Sequence, residues 1–445
     1  MARTAALQQL DQSHHLHPFT DHTEMHAQGT HIMVGGNGVF VQDERGRQYL
    51  DGLSGLWCVN VGYGRTEIID AVAAQLRQLA FYPSFFQTTT EPAIRLAERL
   101  AKIAPPRLNR TIFCNSGSEA NESALKIIRA YWKLRDQPQR TKILSRMYSY
   151  HGVTLATASM SGGPEYCLPF DLPLPGFIQV PGPYAYGADQ ESDPARYGKW
   201  CLEETARTIE REGAETIAAI FIEPVQGPGG VIVPPEGHLA ELRALCRARE
   251  ILFVADEVVT GFGRLGAWFA SNRWSLDPDL MTLAKGLTSG YLPLGATMVS
   301  DEIADVLCRS GIFAHGFTAA GHPASCAAAL ANIELLDNGL NVRARADLGP
   351  HFQQRLQGLE QHPAVAEVRG LYLMGALELV PRGGKAELSS TSQLGTRAAT
   401  IAREKGLIVR GIRNSIALAP PLTTTYAEMD ELFAMLRQTL DALWE

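Results

Sequence analysis

Apolar positions along the chain follow two rhythms. In "RTEIIDAVAAQLRQLA" (65–80) and "EPAIRLAERLAKIA" (91–104) they recur three and four residues apart, the spacing of amphipathic helices. "GVFVQDERGRQYLDGLSG" (38–55) instead alternates apolar and polar residues around Asp43 to Gly46, which predicts a hairpin. From about 110 to 300, short apolar runs alternate with helical stretches: "RTIFCNSG", "KILSRM", "TIAAIFIEPV", "ILFVADEV" and "LMTLAKG". This alternation predicts a mainly parallel sheet with crossover helices on both faces. Beyond residue 325 the pattern turns helical ("PASCAAALANIELLDNGL"), includes "GALELV" and "GLIVRG", and closes on a helix at "YAEMDELFAMLRQTLDALW". The expected organisation is α/β. Residues 1–58 form an N-terminal arm and part of a small domain, 59–325 a large domain, and 326–445 the rest of the small α+β domain, which is built from both chain ends.

Composition narrows the partners. A chain of 445 residues that is 45% hydrophobic and 20% charged buries a large core. Its formal net charge of −7, without a block of Lys or Arg, lacks the basic footprint of nucleic-acid binding. No apolar stretch reaches the length of a membrane span, and the first residues have no signal-peptide core, so a soluble, cytoplasmic protein is expected. Seven scattered cysteines without a C-x-x-C fit reduced, buried thiols.

Several predicted strands end in chemistry: Glu223 after "IAAIFI", Asp256 after "ILFVA", and Lys285 after "LMTLA". In open α/β sheets ligands bind outside the carboxyl ends of the strands. The stretch from Ser116 through Gly117 and Ser118 leads a strand into a helix, with Ser116 and Glu119 spaced as a capping box, and so resembles an anion cradle. Each feature alone has an ordinary reading: Lys285 as a surface lysine, Asp256 as an internal ion pair, 116–119 as a plain capped helix. Together they supply the three handles that pyridoxal 5′-phosphate needs, namely a Schiff-base nitrogen, a partner for the pyridine nitrogen and a phosphate seat.

The motifs "LSGLWCVNVGYG", "NSGSEANESALK", "SYHGVT", "IEPVQGPGG", "VADEVVTGFGRLG", "LAKGLTSGYLPLGA" and "HGFTAAGHP", in this order over nearly the whole chain, resemble the class III, or omega, aminotransferases of the fold-type I pyridoxal-phosphate enzymes. The likeness is greatest to the S-selective amine–pyruvate and omega-amino-acid–pyruvate group. Leu265 and Ala319 depart from residues common in the family. The resemblance implies that Lys285 carries the cofactor and moves a proton as general base and acid, and that Asp256 keeps the ring nitrogen protonated. Tyr150 is implied to stack on one ring face and Val258 on the other. The resemblance further implies that Ser116, Gly117 and Ser118 hold the phosphate, joined by Thr318 from the second subunit of a homodimer, alone or paired into a tetramer. Glu223 lies near the cofactor. Phe19, Trp57, Phe85 and Val153 line the substrate pocket, and Arg410 grips the carboxylate of pyruvate or an amino acid, with Arg413 its competitor. The implied activity is transfer of an amino group from a primary amine or omega-amino acid to pyruvate. Amino-acid racemisation, aminomutation and decarboxylating transamination remain alternatives on the same scaffold.

Two further features carry less. "GFGRLG" (261–266) satisfies the dinucleotide pattern but is not followed by a clear long helix. His14, His15, His17, His22, His26 and His31 crowd the first 31 residues without a structural-zinc spacing, so no metal is expected there.

Overall fold

The computed structural model describes residues 2–187, 193–382, 384 and 392–444. After two N-terminal helices, Ala2–His14 and His22–Gln28, the chain forms β1 (Met33–Asn37), β2 (Phe40–Asp43) and β3 (Gln48–Asp51). β2 and β3 are the expected hairpin, with Val41 opposite Tyr49. Its turn is fixed by Asp43, whose Oδ1 accepts from the N–H groups of Arg45 and Arg47.

Seven strands follow: β4 (Leu108–Cys114), β5 (Lys142–Arg146), β6 (Phe177–Val180), β7 (Ile217–Ile222), β8 (Leu252–Asp256), β9 (Leu280–Leu283) and β10 (Gly295–Ser300). They make one sheet in the order β4-β10-β9-β8-β7-β5-β6. β10 is antiparallel to both β4 and β9, and the remaining pairings are parallel. β4 therefore runs in the same direction as β5 to β9, and β10 alone is reversed. The uninterrupted apolar run of β7 reflects burial on both faces, since all six of its residues are inaccessible to solvent. Ala219 and Phe221 pack under the helix Gly117–Leu134 with Ala124 and Ile128, while Ile220 and Ile222 meet Leu239 and Leu242 of the helix His238–Arg247.

The C-terminal part adds β11 (Val365–Leu371), β12 (Met374–Leu379), β13 (Leu407–Ile408), β14 (Arg410–Ile412) and β15 (Ser415–Leu418), and ends in the helix Tyr426–Trp444. "GLIVRG" is split between two strands: β13 pairs in parallel with β3, placing Leu407 opposite Leu50, whereas β14 joins a different sheet beside β15. The two ends of the chain thus share a sheet. Among the described residues no helix is long and apolar enough to cross a membrane. The 261–266 glycine run forms turns that drive Arg264 into the interior. Its guanidinium donates to Pro420 O (2.5 Å), Ser54 Oγ (3.1 Å) and Asn60 Oδ1 (2.7 Å).

The loop leaving β8 is held by Glu257, which is fully buried. Its carboxylate accepts from Thr260 Oγ1 (2.5 Å), Ala270 N (3.0 Å), Ser271 N (2.6 Å) and Ser271 Oγ (2.7 Å). Burial pushes its pKa up and these bonds oppose the shift. Glu257→Gln turns one acceptor oxygen into a donor facing other donors. The expected cost is about 2–3 kcal/mol, read as a lowered melting temperature. An unchanged melting temperature would show that the loop stands without this carboxylate.

Candidate active site

Because β4, β9, β8 and β7 share a direction, their carboxyl ends open on one edge of the sheet. The cradle after β4, Lys285 after β9, Asp256 on β8 and Glu223 after β7 all belong to that edge.

Asp256 is 3% exposed and organises the centre. Its Oδ2 accepts from Asn121 Nδ2 (2.8 Å) and His151 Nδ1 (2.8 Å), and its Oδ1 accepts from Val258 N (3.1 Å). Thr282 of β9 donates to Asn121 Oδ1 at 2.9 Å, and Asn121 Nδ2 also donates to His151 O. Helix, two strands and the 149–154 loop therefore meet on one carboxylate. A carboxylate oxygen offers two lone pairs, so Oδ1 retains capacity for a further donor.

Lys285 is half-buried, and among the described residues its Nζ has no hydrogen-bond or ion-pair partner. Its φ of +45° lies in the left-handed region, which a non-glycine residue occupies only when its surroundings impose it. The next turn is too tight for a side chain: a Cβ at Gly286 would stand 2.7 Å from Asn60 Nδ2 and 3.1 Å from Phe262 Cβ. Cys58, adjacent to Trp57, has its thiol pKa raised by burial, against which the charge of Lys285 acts. The 54–58 turn thus lies near the lysine.

Ser116 caps the helix Gly117–Leu134 by accepting from Glu119 N, and Glu119 Oε2 reaches back to Asn115 N at 2.7 Å. The N–H groups of Gly117 and Ser118 have no partners within the helix and sit at its positive end. A Cβ at Gly117 would come within 3.1 Å of Val258 Cγ1, so cradle and Val258 side chain are in contact. Ser118 Oγ accepts from Val153 N (3.2 Å), while the Val153 side chain is exposed.

Glu223 is 2% exposed; its Oε1 accepts from Tyr150 N (2.8 Å) and its Oε2 from Gly227 N (3.0 Å). Burial lifts its pKa to about 7, opposed by His151 and reinforced by Asp256. The Tyr150 ring lies edge-on to Tyr166, with centroids 5.1 Å apart, and Tyr166 meets Phe19 at 6.2 Å. Burial raises the pKa of both tyrosines, and the charge of Arg410 opposes the shift in each.

Arg410 faces this aromatic row from β14, is exposed, and has no hydrogen bond or ion pair among the described residues. Arg413 is tied down: it donates to Gly229 O at 2.7 Å and lies over the Tyr148 ring, 5.1 Å from the centroid. Trp57 is buried among Leu53, Val225 and Val259. Phe85 and Thr318 belong to another group. A Cβ on Gly316 would stand 2.4 Å from Phe85 Cε1, and the neighbouring residues in the chain, Phe86 and Thr318, are exposed.

The sequence reading assigned no role to Asn121, His151 or Tyr166. The first two sit inside quoted motifs as polar residues facing a buried interior, a usable signal. Tyr166 lies in "GGPEYC", which carries none.

The residues present suit pyridoxal 5′-phosphate: unpaired N–H groups and a Cβ-free Gly117 between two serines for the phosphate, a buried carboxylate with spare acceptor capacity for the ring nitrogen, and an unpaired ammonium. The aminotransferase class-III family model matches residues 23–440. The chain is 41% identical to putrescine–pyruvate aminotransferase of Pseudomonas aeruginosa over 99% of its own length and 97% of the relative's. Its fold is similar to that of the (S)-enantioselective omega-transaminase from Thermomicrobium roseum, with a TM-score of 0.95, 43% identity and 99% of each chain covered. It is likewise similar to the omega-transaminase of Pseudomonas jessenii in complex with PMP, with a TM-score of 0.95, 36% identity and 98% of each chain covered. With the ordered motifs and the strand-end site, these matches establish that the chain belongs to the class III aminotransferases.

Proposed function

We propose that this pyridoxal-phosphate-dependent aminotransferase moves the amino group of a primary amine or omega-amino acid onto pyruvate, leaving an aldehyde or ketone and alanine. The observation that carries the acceptor half is Arg410, a free guanidinium beside the Tyr150–Tyr166–Phe19 row, against an Arg413 already engaged. An enzyme that alternates between an apolar amine and a carboxylate must satisfy an anion in one half-reaction without stranding a cation in the other. A guanidinium free to close on a carboxylate with paired hydrogen bonds or to return to solvent meets both demands. Phe19 and Val153 supply exposed apolar surface for the amine, Trp57 backs the 54–58 turn from the core, and Phe85 would reach the amine only from a second copy. The likeness to a putrescine–pyruvate enzyme and to an (S)-enantioselective one supports an amine donor.

When bound, pyridoxal 5′-phosphate supplies an aldehyde for exchange with the amine and a ring that withdraws electrons. Ser116, Gly117 and Ser118 would hold its phosphate, Asp256 its ring nitrogen, Tyr150 and Val258 its faces, and Lys285 its aldehyde carbon. Once the amine has taken its place on the aldehyde carbon, the freed Lys285 Nζ would be the group that accepts the proton of the substrate's amine-bearing carbon and delivers it to the carbon Lys285 had held. Asn121 and His151 act as positioning residues through Asp256, and Glu223 through the backbone of Tyr150.

The same reading includes a homodimer. Phe85 meets Gly316, two residues before the exposed Thr318, and a second copy would receive Thr318 at its phosphate seat. Boundaries at 58/59 and 325/326 are supported by the pairing of β13 with β3, which unites the chain ends. A cytoplasmic location is supported by free cysteines, Cys308 exposed among them.

The test of the activity is alanine formation from pyruvate with putrescine, β-alanine and 1-phenylethylamine as donors. No alanine from any amine, alongside racemised or decarboxylated amino acid, would overturn the reading. Borohydride reduction should leave the cofactor's mass on the peptide containing Lys285, and Lys285→Ala should lose both that mass and turnover. Asp256→Asn should slow proton transfer far more than it weakens cofactor binding. His151→Asn, which removes one donor from Oδ2, should cost about 10-fold in the same step. Equal proton-transfer rates in all three proteins would assign the tuning of the ring elsewhere. Arg410→Ala should slow the pyruvate half-reaction by about 100-fold or more and the amine half-reaction far less. Equal single-turnover losses in both halves would make Arg410 structural, and no loss in either would move the role to Arg413.

A further inference from the structure

The histidine-rich arm gains a ligand that its spacing does not reveal. Asp11, in the helix Ala2–His14, turns its carboxylate toward two imidazoles just beyond the helix. His15 Nδ1 lies 3.2 Å from Asp11 Oδ1, and His17 Nε2 lies 2.9 Å from Oδ1 and 3.0 Å from Oδ2. The three ligand atoms all fall within 4.8 Å of one another, and the two rings are 4.1 Å apart. Atoms bound about 2.0–2.2 Å from one ion, at angles of roughly 90–110°, lie about 2.8–3.6 Å from each other. The carboxylate–imidazole separations match that spacing.

The surroundings are ordered as ligand supports are. Thr30 Oγ1 donates to Asp11 Oδ2 at 2.5 Å, and Gln8 Nε2 binds Thr30 O at 3.0 Å. His17 N donates to His22 Nε2 at 3.2 Å, which fixes the backbone carrying the His17 ring. A carboxylate ligand that also accepts a hydrogen bond from a neighbouring hydroxyl is the usual arrangement around a metal. The Asp11 and His17 side chains are 18% and 20% exposed and His15 is 62% exposed, so water can complete the coordination.

We propose that Asp11, His15 and His17 form a site for one divalent transition-metal ion of the zinc, cobalt or nickel class, the class that two imidazoles and a carboxylate favour over magnesium or calcium. The ion staples the N-terminal helix to the turn before Phe19 and, through Thr30, to the chain entering β1. Its consequence is local rigidity of the arm, and transamination does not need it.

The test uses the untagged, full-length holoenzyme stripped with a chelator and titrated with Zn²⁺ by calorimetry, then with Co²⁺ by visible absorption. One ion per chain is expected, with a cobalt band of the kind given by nitrogen and oxygen ligands. Thr30→Val should weaken binding about 10-fold, and Asp11→Asn or His17→Ala should weaken it more. His26→Ala should leave it unchanged, as should turnover and bound-cofactor absorbance in every variant. Zn²⁺ should slow proteolysis between residues 12 and 30 in the wild type and not in Asp11→Asn. Failure of the wild type to retain an ion would overturn the site, as would equal affinity in a His15→Ala/His17→Ala variant. Should Asp11→Asn lose the arm's fold, His15→Gln carries the same comparison without touching the carboxylate.

Discussion

A carboxylate taken out of water must be met by hydrogen-bond donors or it gives up its charge, and most of the site's geometry follows from how Asp256 is met. Its donors come from Asn121 on a helix, His151 on a loop and the Val258 backbone on the next turn, and Asn121 is itself fixed by Thr282 on β9. These elements are held in register by one interaction set, which also aligns what each carries. The helix presents the turn Ser116–Ser118, the loop presents Tyr150, and the turn after β8 presents Val258 against Gly117. Moving any of them without the others would strand a buried charge.

Glu223 and Glu257 show the same rule applied for different ends. Glu257 is surrounded by side-chain and backbone donors and secures a loop. Glu223 accepts two backbone N–H groups, and burial raises its pKa to about 7. A carboxyl whose folded pKa exceeds its unfolded value favours folding below that unfolded value, and the contribution is lost as pH rises toward about 7.

What the sequence discloses about this site is what lies at strand ends. Lys285, Asp256 and Glu223 each close an apolar run, and strand direction then brings them together, so their shared edge was legible before any coordinates. The reversal of β10 was not, because "GATMVS" has the same apolar look whichever way it runs. Nor were the partners of Asp256, which lie 135 and 105 residues away in the chain. Hydrophobic rhythm encodes which face of an element is buried but not which distant polar atom meets it there. The Asp11 cluster is hidden for a related reason: its spacing matches no zinc motif, and only the exit of the chain from its helix folds His15 and His17 back onto the carboxylate.

The two arginines near the site show how a local motif becomes a role through its partners. Arg410 and Arg413 are three residues apart on the same short hairpin, and both are exposed. Arg413, with φ +52°, has turned back onto Tyr148 and Gly229 O, which engages one of its donors and sets the guanidinium over a ring. Arg410 keeps its donors and bears electrostatically on Tyr150 and Tyr166. A guanidinium cannot shed its charge, so it must stay near water or near an anion. The position at the solvent edge of an aromatic row satisfies that condition. The contacts of Arg413 with Tyr148 and Gly229 O anchor the far side of the hairpin, so the freedom left on it lies with the Arg410 side chain.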